Sequence, residues 1–199
     1  MNIAVFASGR GTNFGAIIRA VKKGLIKANL SLLVCDNPKA GAISRAKRAG
    51  IEVALVRRED FPGKEAFEAQ IIRRLKEKKI DLIVLAGFMR LLSAELVCQF
   101  KDKIINIHPS ILPAFKGGNG IQDAFDYGAK VSGVTAHFVD AEMDHGPIIL
   151  QKAVPIEEND TLESLEAKIH KIEHKLYPQA IQLFTDGKLK ITGRKVKIG

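Results

Sequence analysis

Short apolar runs alternate along this chain with segments whose apolar positions recur every three to four residues. Residues 2–7, 30–35, 52–56, 81–87 and 103–107 are brief, apolar and rich in β-branched side chains, the pattern of buried strands. Between them the period lengthens. Phe14, Ile17, Ile18 and Val21 fall on one helical stripe, and Phe67, Ile71, Ile72 and Leu75 on another. Strands that are apolar on both faces, alternating with amphipathic helices, predict a doubly wound α/β fold: a mostly parallel sheet with helices on both faces.

The texture changes after His108. Residues 109–120 (PSILPAFKGGNG) hold two prolines and three glycines, which excludes regular helix and central strand. Two more strands are predicted at 131–139 and 147–155, joined by DAEMDHG. A long helix is then expected from Asp160, capped by that side chain with Glu163 reaching back. Leu162, Leu165, Ile169, Ile172 and Leu176 form its apolar stripe, and Pro178 is expected to end or kink it. No repeat or linker interrupts the 199 residues, so a single domain spanning 1–199 is predicted, with a phosphate- or nucleotide-binding N-terminal half.

Composition adds little to this: 46% hydrophobic and 27% charged residues are ordinary for a soluble globular protein. No apolar run reaches membrane-span length, and MNIAVFASGRG lacks the basic start and longer apolar stretch of a signal peptide. Cys35 and Cys98 match no metal or redox spacing and are expected as buried free thiols, which fits the cytoplasm. The net charge of +9 could suit nucleic acid, an anionic membrane or anionic small substrates. The basic residues are nevertheless dispersed, with modest clusters at 73–79 and 188–199 that read as a solvated helix face and a basic tail. Neither nucleic acid nor membrane is expected as a partner; a phosphate-bearing substrate accounts for the sign.

SGRGTN, residues 8–13, joins the first predicted strand to a helix, where an open α/β sheet binds ligands and a helix N-terminus offers free N–H groups. Gly9 and Gly11 permit a tight turn, and Thr12 and Asn13 can cap the helix or bond phosphate oxygens. Phe14 stands where the dinucleotide fingerprint needs its third glycine, and no Gly-Lys-Ser/Thr P-loop occurs. Asp36, after the second strand, could grip a ribose or simply belong to an Asp-Asn-Pro turn.

The fifth predicted strand ends in Asn106-Ile107-His108, whose alternation points Asn106 and His108 to one side. Asp144, in the later DAEMDHG loop, is their candidate partner. A carboxylate beside an imidazole favours the imidazolium, and that cation with the Asn amide could stabilise an oxyanion at a carbonyl. The group contains no hydroxyl or thiol nucleophile, so attack would come from the substrate itself.

NIHPSILPAFKG resembles the folate-dependent formyltransferases. FASGRGTN, VLAGFMRLLS (84–93), GVTAHFVDAEMDHGPIILQ (133–151) and IEHKLYP (172–178) extend the likeness, in collinear order, to the glycinamide ribonucleotide formyltransferases. The resemblance implies the Rossmann-like formyltransferase fold and transfer of a formyl group from 10-formyltetrahydrofolate, as cosubstrate, to the glycyl amine of glycinamide ribonucleotide in purine biosynthesis. It implies that Asn106, His108 and Asp144 are catalytic. Gly11, Thr12, Asn13, Lys64, His170 and Glu173 would hold the nucleotide's phosphate and ribose. Met89, Arg90, Leu91, Leu92, Val97, Asp140, Ala141 and Glu142 would wall the folate pocket in a C-terminal half that is folate-binding and catalytic. The enzyme would be a monomer or homodimer.

The chain departs from the family at several positions. Lys64 and His170 stand where relatives carry other basic residues, Lys116 where many have Pro, Asn119 where many have His, and His145 where a small residue is common. A solvated helix flank is the competing reading of Glu173, which shares a margin of the last helix with Glu166 and His170. His170 and His174 stand at i, i+4, but Lys171 occupies the position that the zinc-protease pattern gives to Glu, so no metal is expected. Three other activities compete: formylation of initiator methionyl-tRNA, hydrolysis of formyl-folate, and nucleotide binding without catalysis.

Overall fold

A computed structural model describes residues 1–199, and the chain divides into two compact units, Met1–Ile105 and Asn106–Gly199. In the first, strands and helices alternate: β1 (Asn2–Phe6), α1 (Thr12–Lys22), β2 (Asn29–Cys35), α2 (Gly41–Ala49), β3 (Val53–Leu55), α3 (Lys64–Glu77), β4 (Leu82–Leu85) and α4 (Ala94–Gln99). β1 lies between β2 and β4, and β3 lies outside β2, every pairing being parallel. This is the α/β fold that the alternating periods predict.

The strand interiors supply the first unit's core, with Ile3, Phe6, Leu32, Leu33, Leu82 and Ile83 all removed from solvent. The stripe on α3 is buried as predicted at Phe67, Ile71, Ile72 and Leu75. On α1, Phe14 and Ile17 are buried but Ile18 and Val21 are only half-buried, because the inward face turns toward Gly15, Ala16 and Ala20. Small residues also let α2 approach closely. A Cβ added at Gly11, whose φ is +69°, would stand 2.8 Å from the Ala42 Cβ.

β5 (Ile104–His108) carries the chain into the second unit, which contains α5 (Gly120–Asp126), β6 (Val131–Phe138), β7 (Ile148–Pro155), α6 (Leu162–Thr185), β8 (Leu189–Thr192) and β9 (Lys195–Ile198). β6 and β7 are antiparallel, β9 runs parallel to β7 through the Ile148–Lys195 pairing, and β8 and β9 form a hairpin.

Four expectations are corrected here. The N-cap of α6 is Thr161, whose side chain accepts from Ser164 N–H while Ser164 bonds back; the box is Thr161 with Ser164, not Asp160 with Glu163. Asp160 instead accepts from Ser164 Oγ and Lys168 Nζ. Of the two effects expected of Pro178, ending α6 is excluded: the helix runs on to Thr185. Burial of Leu176, Tyr177, Ala180 and Ile181 on both sides offsets the roughly 3 kcal/mol that an interior proline costs. The basic C-terminal segment is not a solvated tail but the β8–β9 hairpin, where half-buried Leu189, Ile191 and Val196 alternate with exposed lysines. Cys35 is buried as expected, but Cys98 is exposed, because α4 turns Leu96 and Val97 inward instead. No helix is long and apolar enough to cross a membrane.

Candidate active site

In the second unit, β5 ends with Asn106 half-buried and His108 buried, and both side chains reach Asp144. Asn106 Nδ2 lies 3.4 Å from one carboxylate oxygen and His108 Nδ1 lies 3.4 Å from the other. The two-residue alternation along a strand brings this about, since it sends positions 106 and 108 to the same side.

Asp144 comes from the segment between β6 and β7. The neck of that loop is pinched: a Cβ added at Gly146 would fall 2.0 Å from the Phe138 carbonyl oxygen, so only glycine fits. Asp144 itself has φ +49°, a left-handed backbone that side-chain-bearing residues rarely adopt. Backbone strain of this kind persists where the surroundings over-determine it. Here Gly117 N–H donates to Asp144 Oδ2 at 2.8 Å, adding a third anchor to those from Asn106 and His108.

Besides the Gly117 amide, two participants were not foreseen in the sequence. His137 on β6 is 1% exposed, its Nε2 3.2 Å from Asn106 Nδ2 and 3.7 Å from Asp144 Oδ1. Its Nδ1 donates to its neighbour Phe138's carbonyl at 2.7 Å, and its Nε2 faces both the Asn106 amide and Asp144. The available signal was a histidine inside an otherwise apolar strand, VTAHF. The second is a backbone group: His108 Nε2 donates to the Phe115 carbonyl at 2.7 Å. No side-chain pattern announces such a partner.

Burial alone would raise the Asp144 pKa, but His137 beside it, the Gly117 N–H and the nearby charge of His108 outweigh that effect. The net result lies below the ordinary carboxylate value of 3.8, so Asp144 is an anion at neutral pH.

In the first unit, the glycine loop leads from β1 into α1. Its helix is capped by Gly11 without a side-chain bond, so Thr12 and Asn13 open the helix rather than cap it. Ser8 N–H donates to the Gly87 carbonyl at 2.9 Å and Ser8 Oγ accepts from Met89 N–H at 3.0 Å. The glycine loop is thus tied to the segment after β4. Arg90 Nε donates to Asp36 Oδ2 at 2.6 Å and its guanidinium lies over the Phe67 ring; Asp36 Oδ1 is buried, so neither carboxylate oxygen is open to a ribose in this arrangement. Ser93 N–H donates to buried Glu68, which fixes the far end of the same segment. Met89 and Leu91 project outward, 75% and 64% exposed, while Leu92 is half-buried and Val97 points into the core.

Lys64 opens α3, half-exposed and 3.9 Å from Glu68. In the second unit, Glu173 is only 3% exposed, which sets aside the solvated-flank reading, and its carboxylate meets His170 Nδ1 at 2.8 Å. Asp140 is half-buried and Ala141 and Glu142 are exposed. A hollow of about 430 Å³ lined by Asn2, Asn29, Ser31 and Glu52 lies where β1 and β2 begin. Ligands of open α/β sheets bind outside the opposite, carboxyl ends of strands. No group of His, Cys, Asp or Glu side chains is placed to hold a metal ion.

A formyl transferase family model matches residues 1–181. The phosphoribosylglycinamide formyltransferase of Bacillus subtilis (strain 168) is 49% identical over 179 residues, covering 90% of this chain and 92% of the relative. Glycinamide ribonucleotide transformylase 1 from Symbiobacterium toebii superposes with a TM-score of 0.97 at 43% identity, covering 100% of this chain and 93% of that one. The phosphoribosylglycinamide formyltransferase from Bacillus halodurans gives 0.90 at 47% identity, over 92% of this chain and 94% of its own. With most of the sequence and the whole of the fold in agreement, the chain belongs to the formyl transferase family, as a phosphoribosylglycinamide formyltransferase.

Proposed function

We propose that this enzyme serves de novo purine biosynthesis in the cytoplasm, moving the formyl group of 10-formyltetrahydrofolate directly onto the glycyl amine of glycinamide ribonucleotide. The observation that carries the mechanism is the convergence of Asn106 and His108 on Asp144, each at 3.4 Å. The neutral amine attacks the formyl carbon, and the carbonyl π pair moves to oxygen. His108 and Asn106 meet that charge with N–H groups. Both ring nitrogens of His108 face acceptors, an arrangement that the imidazolium satisfies at both ends. Asp144 accepts the proton released by the amine, through a water, and passes it to the folate nitrogen as the carbon–nitrogen bond to folate breaks. The products are formylated ribonucleotide and tetrahydrofolate, with no covalent enzyme intermediate.

Gly11, Thr12 and Asn13 would bind the phosphate, with Lys64 adding charge, His170 adding it only when protonated, and Glu173 taking the ribose hydroxyls. Segments 89–92 and 140–142, with Val97, would enclose the folate. In this reading residues 1–199 work as one formyltransferase domain, a monomer or homodimer with no metal. Placing both substrates together supplies much of the rate.

The test is incubation with 10-formyltetrahydrofolate, with and without glycinamide ribonucleotide, following tetrahydrofolate and formylated product. Matched release of both that depends on the ribonucleotide is expected. Tetrahydrofolate release without the ribonucleotide would identify a hydrolase instead, and absence of turnover would end the proposal.

A further inference from the structure

We infer that the β8–β9 hairpin positions the loop at 140–142 through Arg194 and His145, and so helps to set the affinity for the formyl-folate. This rests on the reading of 140–142 as folate contacts. Arg194 sits at the hairpin turn, after Gly193 at φ +59°. The Ile148–Lys195 pairing holds that turn beside the start of β7, where the 139–147 segment ends.

From there a continuous chain of polar contacts runs into the loop. Arg194 Nη2 donates to the His145 carbonyl at 2.6 Å. Its Nη1 lies across the imidazole, 2.7 Å from Nε2 and 3.2 Å from Nδ1. His145 Nδ1 in turn donates to Asp140 Oδ2 at 2.8 Å, and Asp140 Oδ1 accepts from Glu142 N–H at 3.0 Å. The contacts thus link the hairpin to the backbone at the loop's tip. A small residue at 145 could supply neither the ring nitrogen that meets the guanidinium nor the bond to Asp140.

The arrangement separates two kinds of effect. Asp144 has its own anchors in Gly117, Asn106 and His108, none of which passes through Arg194. Loss of Arg194 therefore detaches the tip at 140–142 from the hairpin while the carboxylate stays seated. A binding surface that must be ordered by its ligand costs affinity, whereas one held in advance does not. Arg194 and His145 are positioning residues, and their signature falls on KM for the folate rather than on kcat.

The experiment compares the full chain with Arg194→Ala, His145→Ala, the double variant and Arg194→Lys. KM for 10-formyltetrahydrofolate is expected to rise about tenfold in either alanine variant, that being the loss of one charge-assisted bond network. kcat and KM for glycinamide ribonucleotide stay near the parent values. The double variant is expected to match the singles, because the two residues act as one unit, and Arg194→Lys to recover part of the loss. Amide exchange at 140–143 should quicken in Arg194→Ala. An unchanged folate KM in a folded Arg194→Ala enzyme, or an equal rise for both substrates, overturns the inference. Should Asp144→Asn leave formyl transfer intact, the catalytic reading fails on its own. Exchange at 140–143 then decides the clamp, with faster exchange in Arg194→Ala supporting it and unchanged exchange overturning it.

Discussion

His108 Nε2 and the Phe115 carbonyl oxygen lie 2.7 Å apart, so the ring donor nominated for the formyl oxygen already has a partner within the chain. The next turn of the same segment, at Gly117, holds Asp144. Residues 109–119 therefore occupy both the imidazole and the carboxylate, and Phe115 does so from a left-handed backbone at φ +50°. In the mechanism proposed above, the Phe115 carbonyl yields its place to the formyl oxygen.

Gly120 tests the donor role of Nε2. A Cβ there would stand 3.1 Å from His108 Nε2 and 2.9 Å from the Phe115 oxygen. In Gly120→Ala the methyl obstructs the approach to Nε2, and kcat is expected to fall by about tenfold or more. An unchanged kcat in single-turnover assays would assign the donor elsewhere.

Replacing one member of the trio is expected to lower kcat by about two to three orders of magnitude, as for loss of one oxyanion donor. His108→Ala combined with Asp144→Asn should cost scarcely more than His108→Ala alone, since residues acting as a unit are not additive. Full additivity of the two losses, measured as kcat, would show that they act independently.

Acid stability reports on Asp144. Its folded pKa is below the unfolded value of 3.8, so its contribution is fully present above that value and is lost as pH falls through the folded pKa. Urea unfolding of the parent and Asp144→Asn is expected to show a stability difference that is constant near neutrality and shrinks on acidification below about pH 4. A difference that grows toward acid would contradict the lowered pKa.

Thr161 caps α6 in place of the acidic residue that the sequence suggested. Thr161→Ala is expected to destabilise the protein by about 1 kcal/mol in denaturant titrations, with formyl transfer unaffected at moderate temperature. Glu163→Ala should have a much smaller effect.

The two thiols should separate cleanly. Cys35 is buried, and burial chiefly raises its pKa, whereas Cys98 is exposed. A thiol reagent is expected to titrate one group at once and the second only after unfolding, and Cys98→Ser should abolish the rapid phase.

The parallel half of the fold was legible because its strands are buried on both faces and its helices carry the period that burial demands, as Phe67 to Leu75 on α3 illustrate. The C-terminal hairpin was hidden by composition. Four lysines and Arg194 between 188 and 197 read as a solvated tail, although Leu189, Ile191 and Val196 keep the strand alternation. Asn106, His108 and Asp144 could be nominated from chemistry, yet their meeting depends on a left-handed backbone at Asp144, which aspartate tolerates better than most residues but adopts too seldom for the sequence to announce it. The partners contributed by Phe115 and Gly117 are main-chain groups, which every residue possesses and sequence therefore cannot single out.

Ser8 gives the first unit a thermodynamic property. Its amide and hydroxyl bind Gly87 and Met89 across a gap of some eighty residues in sequence, welding the glycine loop to the strand-end segment that carries Arg90. A ligand that displaces either piece must work against the other. By reciprocity, whatever factor one occupant imposes on the affinity of the second, the second imposes on the first. Ser8→Ala would remove the hydroxyl bond to Met89 and keep the amide bond to Gly87, so the tie would loosen and any mutual dependence of ligands held by the two segments would diminish with it.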